Sequence, residues 1–219
     1  MHADFWHQRW ADGRIGFHLG EVNPMLVKHY DKLVPGENSS VFVPLCGKSN
    51  DLGWLASRTG SVTGIEINAE AVKAFFHENE MEPSCDSSGL LEWWSAKNIQ
   101  LACGDFFQLT QQDLAGVSLV YDRAALIALP VEMRRNYVAH LSDILEPATR
   151  MLLVTLEYDQ SKIDGPPFSV AEDEVQSLFA ESFDIERVDS RDALEDRFRD
   201  RGLSAMREKA YILQRRDTA

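Results

Sequence analysis

The chain has few cysteines, few basic residues for its acids, and no long apolar run. Only three cysteines, Cys46, Cys85 and Cys103, occur in 219 residues. They are odd in number and widely spaced, so neither a disulfide framework nor a C-x-x-C zinc site is written here. Three reduced, mostly buried thiols and no bound metal are expected. Lys and Arg total 22 against 35 Asp and Glu, a formal charge of -13. A surface that negative repels phosphate backbones, and no dense basic stripe offsets it, so the expected partner is a small molecule and not nucleic acid. No apolar stretch approaches the ~18 residues that a membrane span requires. The opening MHADFWHQRWADGR carries acids and aromatics where a secretory leader has a basic start and an apolar stretch. The cytosol is the expected location.

Two phosphate-binding motifs are missing as well. Gly47-Lys48-Ser49 looks like the tail of a P-loop, but the glycine that loop needs further upstream is replaced by Phe42, inside a strand candidate. No G-x-G-x-x-G follows any strand candidate, which counts against NAD and FAD.

What is present is a regular alternation of strand and helix signals. A helical, aromatic-rich leader covers residues 4–33, with Phe5, Trp6 and Trp10 on one stripe. The stretch from Pro35 to Ser40 breaks it. Seven strand candidates follow, at 41–45, 61–67, 99–103, 117–121, 150–156, 183–188 and 209–214, and helices are expected at 50–58, 69–79, 131–145 and 170–180. Runs such as MLLVTL lack alternation, as strands buried on both faces do. The expected fold is α/β: one Rossmann-like, doubly wound, mostly parallel seven-stranded sheet with helices on both faces, and an N-terminal helical lid over residues 1–38 of a single domain, 1–219. In such sheets ligands gather at the carboxyl ends of the strands, near the topological switch point.

Polar groups stand at four of those ends. Gly47, after the first strand, can let a cofactor approach the backbone. Glu66 ends the second strand, where a carboxylate can accept both hydroxyls of a ribose. Asp105 follows the third and can meet the amine of an adenine while Phe106 covers the ring. Asp122-Arg123 ends the fourth. A surface acid, a turn acid and a structural salt bridge are the plain alternatives. Four polar strand ends without a pyrophosphate cradle suit S-adenosylmethionine, which has no pyrophosphate to hold. The histidines, His2, His7, His18, His29, His77 and His140, are scattered, and none stands at a strand end.

The segments WHQRW, GFH, VFVPLCGKSNDLGWLA, VTGIEI, GDFF, YDRAALIALP, GPPF and EKAYIL occur in order along nearly the whole chain. In these segments the chain resembles the bacterial-type thiopurine S-methyltransferases, class I S-adenosylmethionine-dependent enzymes. The resemblance implies that Trp6, Trp10 and Phe17 belong to a leader closing over cofactor and acceptor. It implies main-chain contact to the cofactor from Leu45 and places Arg123 beside cofactor and acceptor. Arg197 matches a second arginine near the acceptor. The implied reaction is attack by an aromatic or heterocyclic thiolate, or a selenium or tellurium species, on the sulfonium methyl, leaving S-adenosylhomocysteine. Arg123 and Arg197 would favour the anion, and a monomer is expected. Other readings stay open: a different nitrogen or oxygen acceptor, and a nucleoside-binding module without catalysis. Asp122-Arg123-Ala124-Ala125 stands where amino-directed DNA methyltransferases carry Asn/Asp-Pro-Pro-aromatic, which disfavours a nucleic-acid substrate.

Overall fold

Apolar residues of opposite parity along each central strand feed two separate cores, and this arranges the whole chain. A computed structural model describes residues 3–217 except Pro35 and Glu37, so part of the expected break at 35–40 lies outside the described residues. In chain order the elements are α1 (Ala3–Ala11), α2 (Pro24–His29), β1 (Ser40–Val43), α3 (Asn50–Ala56), β2 (Ser61–Glu66), α4 (Ala69–Glu78), β3 (Ser84–Asp86), β4 (Glu92–Ala96) and β5 (Ile99–Cys103). Then come β6 (Val117–Arg123), α5 (Val131–Ile144), β7 (Arg150–Tyr158), α6 (Glu172–Phe179), β8 (Phe183–Asp192), α7 (Asp196–Arg199) and β9 (Met206–Arg215).

One sheet forms in the order β3-β4-β5-β2-β1-β6-β7-β9-β8. Its centre, β5-β2-β1-β6-β7, is parallel. Both flanks are antiparallel, with β9 against β7 and β8 on one side and β4 against β5 and β3 on the other. All seven expected strands are present, but the sheet has nine. The additional hairpin, β3-β4, sits at an edge with no residue buried, so it carries no hydrophobic period to read. The first strand also stops at Val43, because Pro44 and Leu45 turn the chain out of the sheet. The leader is not continuous helix: α1 and α2 are separated by turns at 12–23. Among the described residues no helix is long and apolar enough to cross a membrane.

Strand parity decides which core each residue joins. Val41 and Val43 face Met25 and Leu26 of α2, Leu52 and Leu55 of α3, and Phe75 and Phe76 of α4. Phe42 faces Tyr137 and Leu141 of α5 and Phe179 of α6. The same split puts Leu152 and Val154 in the first cluster and Met151 and Leu153 in the second. Each helix starts where local chemistry permits. Asn23 and Asn68 accept from N–H groups of the first turns of α2 and α4, Ser49 does the same for α3, and Pro24 occupies the first turn of α2.

The chain order reverses between β1 and β6, opening a crevice at their carboxyl ends. Beside it, Asp122 is fully buried. Its Oδ1 accepts the Leu126 N–H at 3.1 Å and its Oδ2 accepts the Tyr137 hydroxyl at 2.7 Å. Burial outweighs these bonds and raises the carboxyl to about 6. Between the unfolded value of about 3.9 and that figure, the folded state holds a proton that the unfolded chain has released, so this group's contribution to stability falls as pH rises through the window. Asp122→Asn should therefore gain stability relative to wild type as pH rises from about 4 to about 6.5. Urea unfolding of the unliganded pair across that range measures the difference; a difference that does not change with pH contradicts the assignment.

Candidate active site

At the switch point the chain turns sharply twice without glycine. Leu45, just past β1, has φ +44°, and Ala124, just past β6, has φ +68°. Left-handed backbone in non-glycine residues costs on the order of 1–3 kcal/mol each and tends to persist where the surroundings enforce it. Here Cys46 N–H donates to the Ile65 carbonyl at 2.9 Å, tying the turn after β1 to β2. Both strained residues line one cavity of about 770 Å³.

Glu66 stands at the base of this cavity, 5% exposed. Its Oε2 accepts the Gly47 N–H and its Oε1 accepts the Asn68 N–H, each at 2.9 Å. Desolvation raises the carboxyl to about 7, with the backbone N–H groups pulling the other way. Asn68 also caps α4 and places its Nδ2 3.2 Å from His7 Nδ1, so the leader, α4 and Glu66 form one connected set. Asp105 follows β5; its carboxylate accepts the Phe107 N–H at 3.0 Å and starts the short turn that presents Phe106. Phe106 packs on Tyr137 with ring centres 4.8 Å apart.

The leader crosses the mouth. Phe17 lies edge-on to Trp6 and Trp10, at 5.8 and 5.5 Å between centroids. Its carbonyl accepts from Arg123 Nη1 at 2.8 Å, and the Gly16 carbonyl accepts from Arg197 Nη1 at 3.3 Å. Arg197 is also paired with Glu195 at 2.9 Å. Further along, Asp51 accepts the Asn23 N–H at 2.8 Å and the Tyr121 hydroxyl at 3.0 Å, pinning the leader to α3 and β6.

Trp6, Trp10, Phe17, Leu45, Glu66, Asp105, Phe106, Arg123 and Arg197 all line this cavity. Gly47 lies behind it. A Cβ there would stand 3.3 Å from Trp10 Cζ2, so the glycine makes room for the indole, a role its sequence context did not reveal. Asp122 also departs from expectation. It turns into the core and forms no ion pair with Arg123, because consecutive strand residues face opposite sides. The thiols differ too: Cys46 is buried, Cys103 half-buried and Cys85 exposed. Burial raises Cys46 well above the usual thiol range and Cys103 to about 11, so both thiols near Glu66 stay protonated.

The sequence reading missed the far wall. Tyr137 of α5, the turn at 127–129, Arg9 of the leader, and Arg191, Phe198, Arg201, Met206 and Glu208 also face the cavity. Arg9 lies inside the WHQRW segment but was given no role; the others belong to elements remote from the four strand ends, and no local pattern marks them. The GPPF segment is held there by bonds from Phe168 N–H to the Ile127 carbonyl at 2.7 Å and from the Tyr158 hydroxyl to the Pro167 carbonyl at 2.6 Å.

Comparison with known proteins accords with this geometry. A solved S-adenosylmethionine-dependent methyltransferase from Anabaena variabilis superposes with a TM-score of 0.68 at 16% identity, over 98% of this chain and 95% of that one. The 1,6-didemethyltoxoflavin-N1-methyltransferase of Burkholderia thailandensis, solved with its namesake ligand and S-adenosylhomocysteine, gives 0.67 at 14% identity, over 98% and 87%. At such identities the likeness is one of fold. Sequence goes further. A thiopurine S-methyltransferase of Pseudomonas fluorescens is 47% identical over 216 residues, 98% of this chain and 99% of the relative. One from Azotobacter vinelandii is 45% identical over 218 residues, 99% and 100%. The family model for thiopurine S-methyltransferase matches residues 1–216. With full-length agreement in sequence and a methyltransferase sheet beneath it, the chain belongs to the thiopurine S-methyltransferase family.

Proposed function

We propose that this protein transfers a methyl group from S-adenosylmethionine to the sulfur of aromatic and heterocyclic thiols such as thiopurines. The observation that carries the proposal is the convergence of Leu45, Glu66, Asp105 and Arg123, from four separate strand ends, on one cavity in a chain of this family. Selenium and tellurium acceptors belong to the same proposal, because they too react as soft anions. The protein is taken to work as a cytoplasmic monomer of one domain, with residues 1–38 as its lid.

The donor set fits the cofactor. Each Glu66 oxygen accepts one backbone N–H, which leaves further lone pairs for ribose hydroxyls. Asp105 and Phe106 would hold the adenine, the Leu45 backbone and Trp10 the remainder, with Trp6 alongside. When bound, S-adenosylmethionine supplies an electrophilic methyl on a positively charged sulfur. Arg123 and Arg197 favour the ionised acceptor, since an opposite charge nearby stabilises a thiolate. Trp6, Trp10 and Phe17 close the mouth and exclude water, while Phe198, Met206 and the Gly165–Pro167 segment give the acceptor ring an apolar wall. Holding two reacting atoms close and aligned removes ~7–11 kcal/mol of a bimolecular barrier, so positioning can supply most of the rate without a strong base.

Arg123→Ala should lower kcat for a thiopurine more than it weakens S-adenosylhomocysteine binding. Steady-state rates at several pH values, beside calorimetric titration, measure both; equal turnover in variant and parent defeats the role. For Arg197→Ala the expected change is a higher KM for the acceptor, read from an acceptor panel with labelled S-adenosylmethionine.

Glu66 makes cofactor affinity depend on pH. Hydroxyl donors favour the carboxylate, so binding lowers its value from about 7, and affinity must fall as pH drops below that point. The steepest loss one such group allows is about tenfold per pH unit. Titrations with S-adenosylhomocysteine from about pH 8 to about pH 5.5 should show this decline in wild type and a flatter profile in Glu66→Gln, the sign following from the linkage relation.

A further inference from the structure

Two residues hold Glu66, and the leader touches both. Gly47 and Asn68 each give its carboxylate a backbone N–H at 2.9 Å. On α1, His7 and Trp10 are three residues apart and so share one face of the helix. Trp10 packs over Gly47, where an added Cβ would stand 3.3 Å from its Cζ2. His7 Nδ1 lies 3.2 Å from Asn68 Nδ2. No residue of α1 is fully buried, so contacts of this kind weigh heavily in its docking.

Turning the Asn68 amide over would break the cap of α4. Its Oδ1 accepts the Glu70 and Ala71 N–H groups at 3.0 and 3.1 Å, which leaves Nδ2, a donor only, facing the leader. His7 Nδ1 must then accept, and the imidazole carries its hydrogen on Nε2. The direction of this bond is set by the cap and not by the leader. An ionised carboxylate also bonds N–H donors more strongly than a neutral one does. Ribose hydroxyls favour the ionised form of Glu66, so cofactor binding tightens the bond from the Asn68 N–H and fixes the start of α4 opposite His7. Such coupling runs both ways: what the cofactor adds to docking of α1, docking of α1 adds to cofactor affinity. We infer that His7 is a positioning residue that couples ribose capture at Glu66 to closure of the leader, acting through Asn68. The inference rests on the cofactor assignment above and concerns the methyl donor, not the acceptor.

The test titrates S-adenosylhomocysteine calorimetrically into wild type, His7→Leu, His7→Asn, Asn68→Ser and the double variant His7→Leu/Asn68→Ser at about pH 7, where free Glu66 is part-protonated. His7 is exposed, so its variants leave the core intact. His7→Leu removes the acceptor and should weaken binding about threefold to fivefold, the scale of one neutral hydrogen bond. His7→Asn sets an oxygen near the place of Nδ1 and should recover most of that loss. Leu suits a helix better than Asn, so a merely structural effect on α1 ranks the two variants in the opposite order. Asn68→Ser keeps a capping oxygen but loses the amide, and the double variant should bind no worse than Asn68→Ser alone. Trypsin supplies a second readout. The ligand should slow cleavage after Arg9 and Arg14 in wild type and His7→Asn, and slow it less in His7→Leu.

Equal affinity in wild type and His7→Leu overturns the coupling, as does His7→Asn binding no better than His7→Leu. Losses that simply add in the double variant, or protection from trypsin that His7→Leu leaves unchanged, overturn it too. If wild type itself does not bind S-adenosylhomocysteine, the cofactor assignment fails instead, whatever the variants do.

Discussion

A carboxylate gripped at both oxygens by main-chain N–H groups sets the geometry of this protein's site. Glu66 links the turn after β1, through Gly47, to the start of α4, through Asn68. The grip requires Gly47 to approach closely, and that approach depends on the left-handed turn at Leu45. It also requires a residue without a side chain, because Trp10 packs over the same backbone. The leader is then bound to the same assembly through the contact between His7 and Asn68. Glu66, the strained turn and the leader are therefore parts of one hydrogen-bonded unit.

That unit needs the two-sided sheet beneath it. Parallel strands with apolar residues on both faces leave their polar ends as the places where the sheet's own side chains meet the cavity. The switch between β1 and β6 then decides which ends come together. Buried Asp122 reinforces the corner from behind by accepting from the backbone and from Tyr137, whose ring carries Phe106. The wall that carries Phe106 is thus held by a carboxyl that does not line the cavity.

Much of this was legible in the sequence for a physical reason: strand ends carry their site residues at fixed places relative to hydrophobic runs. Glu66, Asp105 and Arg123 were readable in that way, while Leu45, Trp10, Phe17 and Arg197 came only from the resemblance to a family. The β3-β4 hairpin was not legible, because an exposed edge pair buries nothing and shows no period. Gly47's packing against Trp10 joins residues far apart in the chain, and so does the far wall with Arg9 and Arg201. A net of -13 also says nothing about placement: five guanidiniums and six carboxyl groups line the same cavity.

The two guanidiniums assigned to the acceptor also fasten the leader, each through one N–H to a backbone carbonyl, at Phe17 and at Gly16. Opening the mouth therefore breaks two bonds to charged donors, the part-buried one from Arg123 at 2.8 Å being the stronger and the exposed one from Arg197 at 3.3 Å the weaker. A guanidinium has five N–H donors, so either arginine can keep its leader carbonyl and still face a ligand in the cavity. Movement of the leader is thus coupled directly to the orientation of two charged side chains at the cavity.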